Sequence, residues 1–149
     1  MATLKYHPDD ITELHVMDYL QRNERQFFRS GGYNSIELAG MIATEALMLG
    51  ADNVRIHSHR EWMTVTADKD WLEPYEHEAF HEITPFPEAG ANSMLAEVLA
   101  VAFSAGVTTT TRVGARVITG EADAPAHLMG QDMARAVAFR HRRGLRPLA

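Results

Sequence analysis

The stretch GADNVRIHSHREWMTVT, residues 50–66, decides the fold of this chain. Val54 and Ile56 alternate with polar residues, which is the period of a strand with one buried face. Arg60 lies at the turn, and residues 62–66 return as a second strand of β-branched and apolar residues. The stretch therefore predicts an antiparallel hairpin.

A helix is expected on each side of this hairpin. Upstream, Asn34 and Glu37 have the spacing of a capping box, so a helix begins there and ends at Gly50. Downstream, the almost wholly apolar run from Ser93 to Phe103 predicts a helix that is buried on all sides. We expect this second helix to be the most buried element.

The rest of the chain shows the patterns of a second hairpin and of two further helices. Residues 107–112 and 116–119 flank a predicted turn and indicate a second hairpin. A further helix is expected from about residue 8 to about residue 30, and another from Met129 to Arg143. Paired hairpins with helices between them predict an α+β fold, a two-layer sandwich of mostly antiparallel sheet with helices on one face.

A chain of 149 residues is expected to form a single domain. Residues 1–33 form its N-terminal helical segment, residues 34–122 its sandwich core, and residues 123–149 a C-terminal helix with a basic tail. Residues 68–91, which we name the connection, show no sustained period and contain several prolines. Long connections of this kind are often functional.

Composition excludes several classes of chemistry and partner. The chain has no cysteine, which excludes disulfides, thiolate zinc sites and thiol nucleophiles. A net charge of -6 makes nucleic acid an unexpected partner. Neither a signal-like first segment nor a long apolar run is present, so we expect a cytoplasmic protein without a membrane partner.

From Ser35 to Gly120 the chain resembles the GHKL-type ATP-binding fold, called the Bergerat fold, which DNA gyrase, MutL, heat-shock chaperones and histidine kinases share. The resemblance rests on residues 50–56 and on the order of the elements. It implies that Glu37 occupies the position of the water-activating glutamate and Met41 that of the magnesium-binding asparagine. It also implies that Asp68 occupies the position of the aspartate that binds adenine.

The resemblance further implies that ATP hydrolysis has been lost. A thioether such as Met41 is a poor ligand for magnesium, which prefers oxygen donors. Lys69, Asp70 and Trp71 replace the small residues that would follow Asp68. Residues 89–93, including Asn92, are all that corresponds to the glycine-rich phosphate loop. Met41, Asp68, Trp71 and Asn92 are accordingly the predicted ligand-binding residues.

The connection contains the pattern HEAFH, residues 77–81. On a helix, His77 and His81 would lie on one face and could share a zinc ion, with Glu78 polarising a bound water. This pattern resembles that of the zincin metallopeptidases. Glu97 is the candidate third ligand.

Three classes of function remain open at this stage, the third of which is a purely structural or dimerising module. The first is a degenerate nucleotide-binding-fold protein without ATPase activity, which binds a small molecule or a partner protein in the former nucleotide pocket. The second is a small enzyme, either a zinc hydrolase or a metal-free acid/base catalyst built from Glu37, Asp68 and a histidine of the connection. A homodimer is compatible with any of them. The connection is expected to cover the pocket, so that replacing His77 or His81 affects binding more than stability.

Overall fold

The computed structural model describes residues 13–121, 124 and 130–141. Its helices and strands occur in the order α1 (Glu13–Arg22), α2 (Glu24–Phe27), α3 (Ser35–Met48), β1 (Val54–His59), β2 (Trp62–Ala67), α4 (Glu97–Phe103), β3 (Gly106–Thr111), β4 (Gly114–Thr119) and β5 (Arg135–Arg140). Two short 3-10 turns, Glu73–Tyr75 and Pro87–Ala89, lie in the connection. The α+β class predicted from the sequence is confirmed.

The five strands form one sheet in the order β1-β2-β5-β3-β4, and every neighbouring pair is antiparallel. β1 and β2 form the first predicted hairpin, and β3 and β4 form the second. β5 joins them, since Val137 lies opposite Val65 of β2 and Thr109 of β3. Within the part of the chain that the structure describes, β1 and β4 are therefore the two edges of the sheet.

α3 begins where the capping pattern predicts. The Asn34 side chain accepts a hydrogen bond of 2.9 Å from the Glu37 amide, which satisfies one of the free donors at the helix start. The helix ends at Met48, and Gly50 follows with φ of +110°. A side chain is strained at this φ, and the Lys69 ammonium lies where a Cβ would project.

The core lies between the helices and one face of the sheet. Met63, Val65, Val137 and Phe139 alternate along β2 and β5, so their side chains share the face that packs against the helices. All residues of α4 except Val101 are buried, as the apolar run predicts, but α4 is not the most buried element as expected, because every residue of β2 is buried. Among the described residues, no helix is long and apolar enough to cross a membrane.

The predicted helix from Met129 to Arg143 is wrong where the structure describes it. Residues 135–140 are strand β5, the central strand of the sheet, and the sequence RAVAFR is buried up to Phe139. A strand covered on both faces lacks the alternation of polar and apolar residues, and so its short apolar run resembles a helix. Residues 142–149, the predicted basic tail, lie outside the described residues.

The predicted N-terminal helix is interrupted. Asn23 leaves the helical conformation with ψ of 29°, and separates α1 from the single turn of α2. Its predicted start near residue 8 lies outside the described residues. Gly31, with φ of +89°, lies in the loop before α3. The predicted end of the N-terminal helix, at about residue 30, therefore lies a few residues after the observed end of α2 at Phe27.

Candidate functional site

Glu37 and Asp68, the two predicted acids of the former nucleotide pocket, lie at opposite ends of α3. Glu37 is in the first turn, whereas Asp68 contacts residues just beyond the helix end. At a rise of about 1.5 Å per residue, the 14 residues of α3 place its two ends roughly 20 Å apart. The structure therefore does not bring the two carboxylates together.

The Glu37 carboxylate is bound to the loop that precedes α3. It accepts hydrogen bonds from the backbone amides of Arg29 at 2.7 Å and Ser30 at 3.4 Å, and from the Ser30 hydroxyl at 3.3 Å. It does not complete the predicted capping box by returning to Asn34. These contacts fix the entry to the helix, which is a structural role.

Asp68 closes the base of the first hairpin. Hydrogen bonds from the backbone and side chain of Asn53, together with the Asp52 amide, hold the pKa of its exposed carboxylate below the ordinary value. The Asp52 amide lies 3.0 Å from one carboxylate oxygen, and the Asn53 side-chain nitrogen lies 3.1 Å from the other. The carboxylate is thus occupied by the turn that it stabilises.

The other predicted ligand-binding residues are not brought together. Met41 is half-buried against the core, Trp71 is 1% exposed, and Asn92 is exposed in a turn. A surface concavity of about 490 Å³ is lined by residues 22–26 and Gly31, and contains none of these residues. Because its lining comes from one short stretch of chain, it is a local depression beside α2.

The HEAFH segment forms turns after the first 3-10 turn of the connection. Ala79 and Phe80 are buried, whereas His77 is exposed and Glu78 and His81 are half-buried. Within residues 13–121, 124 and 130–141, no three His, Asp or Glu side chains are placed to hold a metal ion. Glu97, the candidate third ligand, is instead directed at Trp71. The zinc hypothesis therefore lacks a complete set of ligands in this part of the chain.

The connection supplies a large part of the core. Leu72 and Phe80 are fully buried, as is Trp71, and Phe86 is nearly so. A cover that opens over a pocket would leave such side chains partly exposed. The connection is therefore an integral layer of the fold, which differs from the expectation that it contributes little to stability.

The most unusual polar group in the structure is a buried pair of carboxyls, Glu45 of α3 and Glu97 of α4. They are 2% and 0% exposed. The Trp71 indole donates to both, at 3.0 Å to Glu45 and 3.3 Å to Glu97, and the Ala96 amide donates to Glu45 at 2.7 Å. We call Glu45, Trp71 and Glu97 the acid cluster.

The environment of the acid cluster favours a protonated carboxyl. Burial, then the charge of Glu97 and a hydrogen bond shared with it, raise the pKa of Glu45 well above its ordinary value. Burial also raises the pKa of Glu97, against the opposing effects of hydrogen bonds from Glu45, its own amide and Trp71. One oxygen of Glu97 has no hydrogen-bond partner. Two ionised carboxylates at this depth would be strongly unfavourable, so the pair holds a proton to a higher pH than an exposed glutamate does.

Beside the acid cluster, the buried guanidinium of Arg135 fastens the connection to the sheet. It donates to Asp70 at 2.8 and 3.1 Å, to the hydroxyl of Thr109 at 2.9 Å, and through a short contact to Glu76. Burial alone would raise the pKa of Glu76, but the hydrogen bond and charge of Arg135 outweigh it and lower the pKa. Arg116 of β4 also pairs with Glu76, at 3.0 Å.

Among the residues that the structure describes, three threonine hydroxyls are buried without a hydrogen-bond partner. They belong to Thr64 and Thr66 of β2 and to Thr108 of β3. All three lie on the sheet face opposite Val65 and Val137, beside the small residues of β5. They have no titratable group, so the acid cluster is the stronger candidate for chemistry.

The sequence carries a signal for the acid cluster that no short motif contains. Glu45 falls on the apolar side of α3 next to Ile42 and Ala46, and Glu97 interrupts the apolar run that becomes α4. Arg135 likewise begins the apolar run of β5. Charged residues are seldom fully buried unless they are paired. A charge inside an apolar pattern therefore indicates a buried polar partner, which Glu45 and Glu97 find in Trp71 and Arg135 finds in Asp70.

Comparison of the chain with protein-family models, with curated proteins and with solved structures finds no significant match.

Proposed function

We propose that the chain is a protein-binding domain, a degenerate form of the GHKL-type sandwich without ATPase activity, to which a partner adds a strand along β4. The observation that carries the proposal is the exposed edge of the sheet at β4. Contacts inside the fold support the absence of ATPase activity, and the filled interior favours a protein over a small molecule.

Contacts inside the fold occupy the groups that nucleotide chemistry would need. Glu37 is bound to the loop before α3, and Asp68 to the base of the first hairpin. Trp71 and Leu72, which follow Asp68 closely in the sequence, are buried in the core. A ligand would have to displace these side chains, which favours binding at the surface.

β4 is the less protected of the two edges. Its residues from Gly114 to Val117 are exposed, and Val113 at the turn is 99% exposed. The only charged side chain of β4, Arg116, is paired with Glu76 of the same chain. An edge strand presents backbone donors and acceptors that an added strand can satisfy.

β1, at the opposite edge, has the features that discourage strand addition. β1 carries three basic side chains, Arg55, His57 and His59, whereas β4 carries Arg116 alone. Charged residues along an edge oppose pairing because an incoming strand would have to desolvate them. The partner is therefore expected at β4, as an extended segment with few acidic or basic residues.

The loss of ATPase activity predicts that the purified chain neither hydrolyses ATP nor binds magnesium-ATP. The physical reason is that Met41 offers no oxygen ligand and that Glu37 is held by Arg29 and Ser30. Calorimetric titration with magnesium-ATP and a phosphate-release assay check this. Micromolar binding that requires magnesium would contradict it.

Strand addition predicts that random peptides displayed on phage and selected against the chain are enriched in β-branched, uncharged sequences. We expect bound peptides to shift the backbone NMR signals of residues 114–119. The double variant Ala115→Lys, Val117→Lys should lower peptide affinity by at least about tenfold, since lysines on an edge oppose pairing. Both positions are exposed, so the fold should tolerate the change.

The matched control is Ser58→Lys on β1, which places a new charge on the protected edge. It should leave peptide binding unchanged. Peptides that bind equally well to the β4 double variant would place the binding surface elsewhere, and selection without enrichment would contradict strand addition itself.

A further inference from the structure

We propose that the acid cluster is a proton-operated latch, which holds the connection and the start of α4 closed while Glu45 and Glu97 share a proton and opens when that proton is lost. The latch goes beyond the proposed function and does not depend on it. It rests on the donors available to the two carboxyls, the charges around them and the elements that they join.

The donors around the pair are sufficient for one negative charge but not for two. The four carboxyl oxygens accept hydrogen bonds from the Trp71 indole, which donates to both carboxyls, and from the backbone amides of Ala96 and Glu97. One oxygen of Glu97 has no partner. A carboxylate excluded from water needs several donors to remain ionised. A proton held between the two groups removes the second charge and supplies the missing hydrogen bond.

The surrounding charges do not neutralise a second carboxylate. Arg135 of β5 is the cation whose charge acts on Glu97, and its hydrogen bonds go to Asp70 and Glu76. Arg116 of β4 acts on Glu76 as well. Loss of the shared proton therefore adds uncompensated charge in the interior.

The acid cluster joins three parts of the fold at one point. Glu45 belongs to the last turns of α3, Ala96 and Glu97 to the start of α4, and Trp71 to the connection. Repulsion between the two carboxylates pushes α3 away from α4 and the connection, and the bonds that span this gap are those from the Ala96 amide and the Trp71 indole to Glu45. These are the contacts that should open first.

The direction of the pH effect follows from the raised pKa values. A carboxyl whose pKa is higher in the closed form binds more protons there than in the open form. Its stabilising effect is complete below the ordinary glutamate pKa and is lost as the pH rises through the raised pKa. The latch is therefore closed in acid, and opens as the pH increases.

Backbone hydrogen exchange measures the opening. We expect the exchange rate of the Ala96 amide, divided by that of the same amide in an unstructured peptide, to increase by about tenfold per pH unit while one proton is lost on opening. The ratio removes the intrinsic dependence of exchange on pH. A ratio that stays constant from mildly acidic to mildly alkaline pH would overturn the proposal.

Glutamine variants keep the shape of each glutamate side chain but do not titrate, so they distinguish a latch from a purely structural role. Glu97→Gln leaves one titrating group in the cluster and should reduce the slope, and the double variant E45Q/E97Q should abolish it. The control Glu37→Gln changes another α3 carboxylate, one that is bound to exposed backbone amides, and should keep the full slope. A slope that is unchanged in the double variant would overturn the proposal. If the double variant does not fold, the pH dependence of exchange in the unaltered protein decides whether the proposal stands.

Discussion

Replacing Phe80 by alanine is expected to destabilise the protein by about 3–5 kcal/mol. Phe80 is 0% exposed and packs in the same core as Trp71 and Leu72. Truncation removes the transfer free energy of the ring and leaves a cavity that rigid neighbours fill only in part. Chemical denaturation followed by circular dichroism gives the change in the free energy of unfolding.

The matched control is His77→Ala, three residues earlier in the same segment. His77 is exposed, so its loss should change the free energy of unfolding by less than about 0.5 kcal/mol. A small effect of Phe80→Ala would mean that the connection opens readily, as a cover over a pocket does. The pair of variants thus distinguishes a core layer from a cover.

Replacing Arg135 by alanine is expected to cost about 3–5 kcal/mol. The guanidinium is 1% exposed and holds Asp70 and Glu76 of the connection together with Thr109 of β3. Its removal leaves two partly buried carboxylates without their cation and a cavity in the sheet face. The free energy of unfolding at neutral pH checks this.

Two further variants show how much of the loss of stability in Arg135→Ala comes from carboxylates left without a partner and how much from burial of the ion pair. The triple variant Arg135→Met, Asp70→Asn, Glu76→Gln removes the three charges together and should recover a large part of the stability, because no carboxylate is left unpaired. Arg55→Ala breaks the exposed pair with Asp132 and should cost less than about 1 kcal/mol. Equal losses for Arg135→Ala and Arg55→Ala would show that burial of the Arg135 network has no energetic consequence.

The elements fixed by local signals could be predicted from the sequence. The Asn34 cap, the hairpin at residues 54–67 and the buried run of α4 each depend on neighbouring residues, and the structure has all three. β5 could not be predicted in this way. Its conformation is determined by β2 and β3, which lie far away in the sequence and cover it on both sides.

The candidate site was harder to predict than the fold, for a related reason. Glu37 and Asp68 carry the residue types of the GHKL resemblance, yet local backbone contacts occupy both carboxylates. Glu45 and Glu97 belong to no short motif, and only the packing of α3 on α4 brings them together. A site formed by distant elements has no spacing that a sequence pattern can reveal.

The central position of β5 has a consequence for how the chain acquires its structure during synthesis. The β1-β2 and β3-β4 hairpins emerge from the ribosome first, but share no strand pairing until β5 is available to lie between them. Until then each hairpin has an unpaired inner edge, the kind of surface that favours aggregation. Closure of the sheet must also bring together strands that are distant in the sequence, which slows folding. A nascent chain that stalls before residue 135 would therefore depend on a chaperone, or on the ribosome surface, to keep its two hairpins apart from those of other chains.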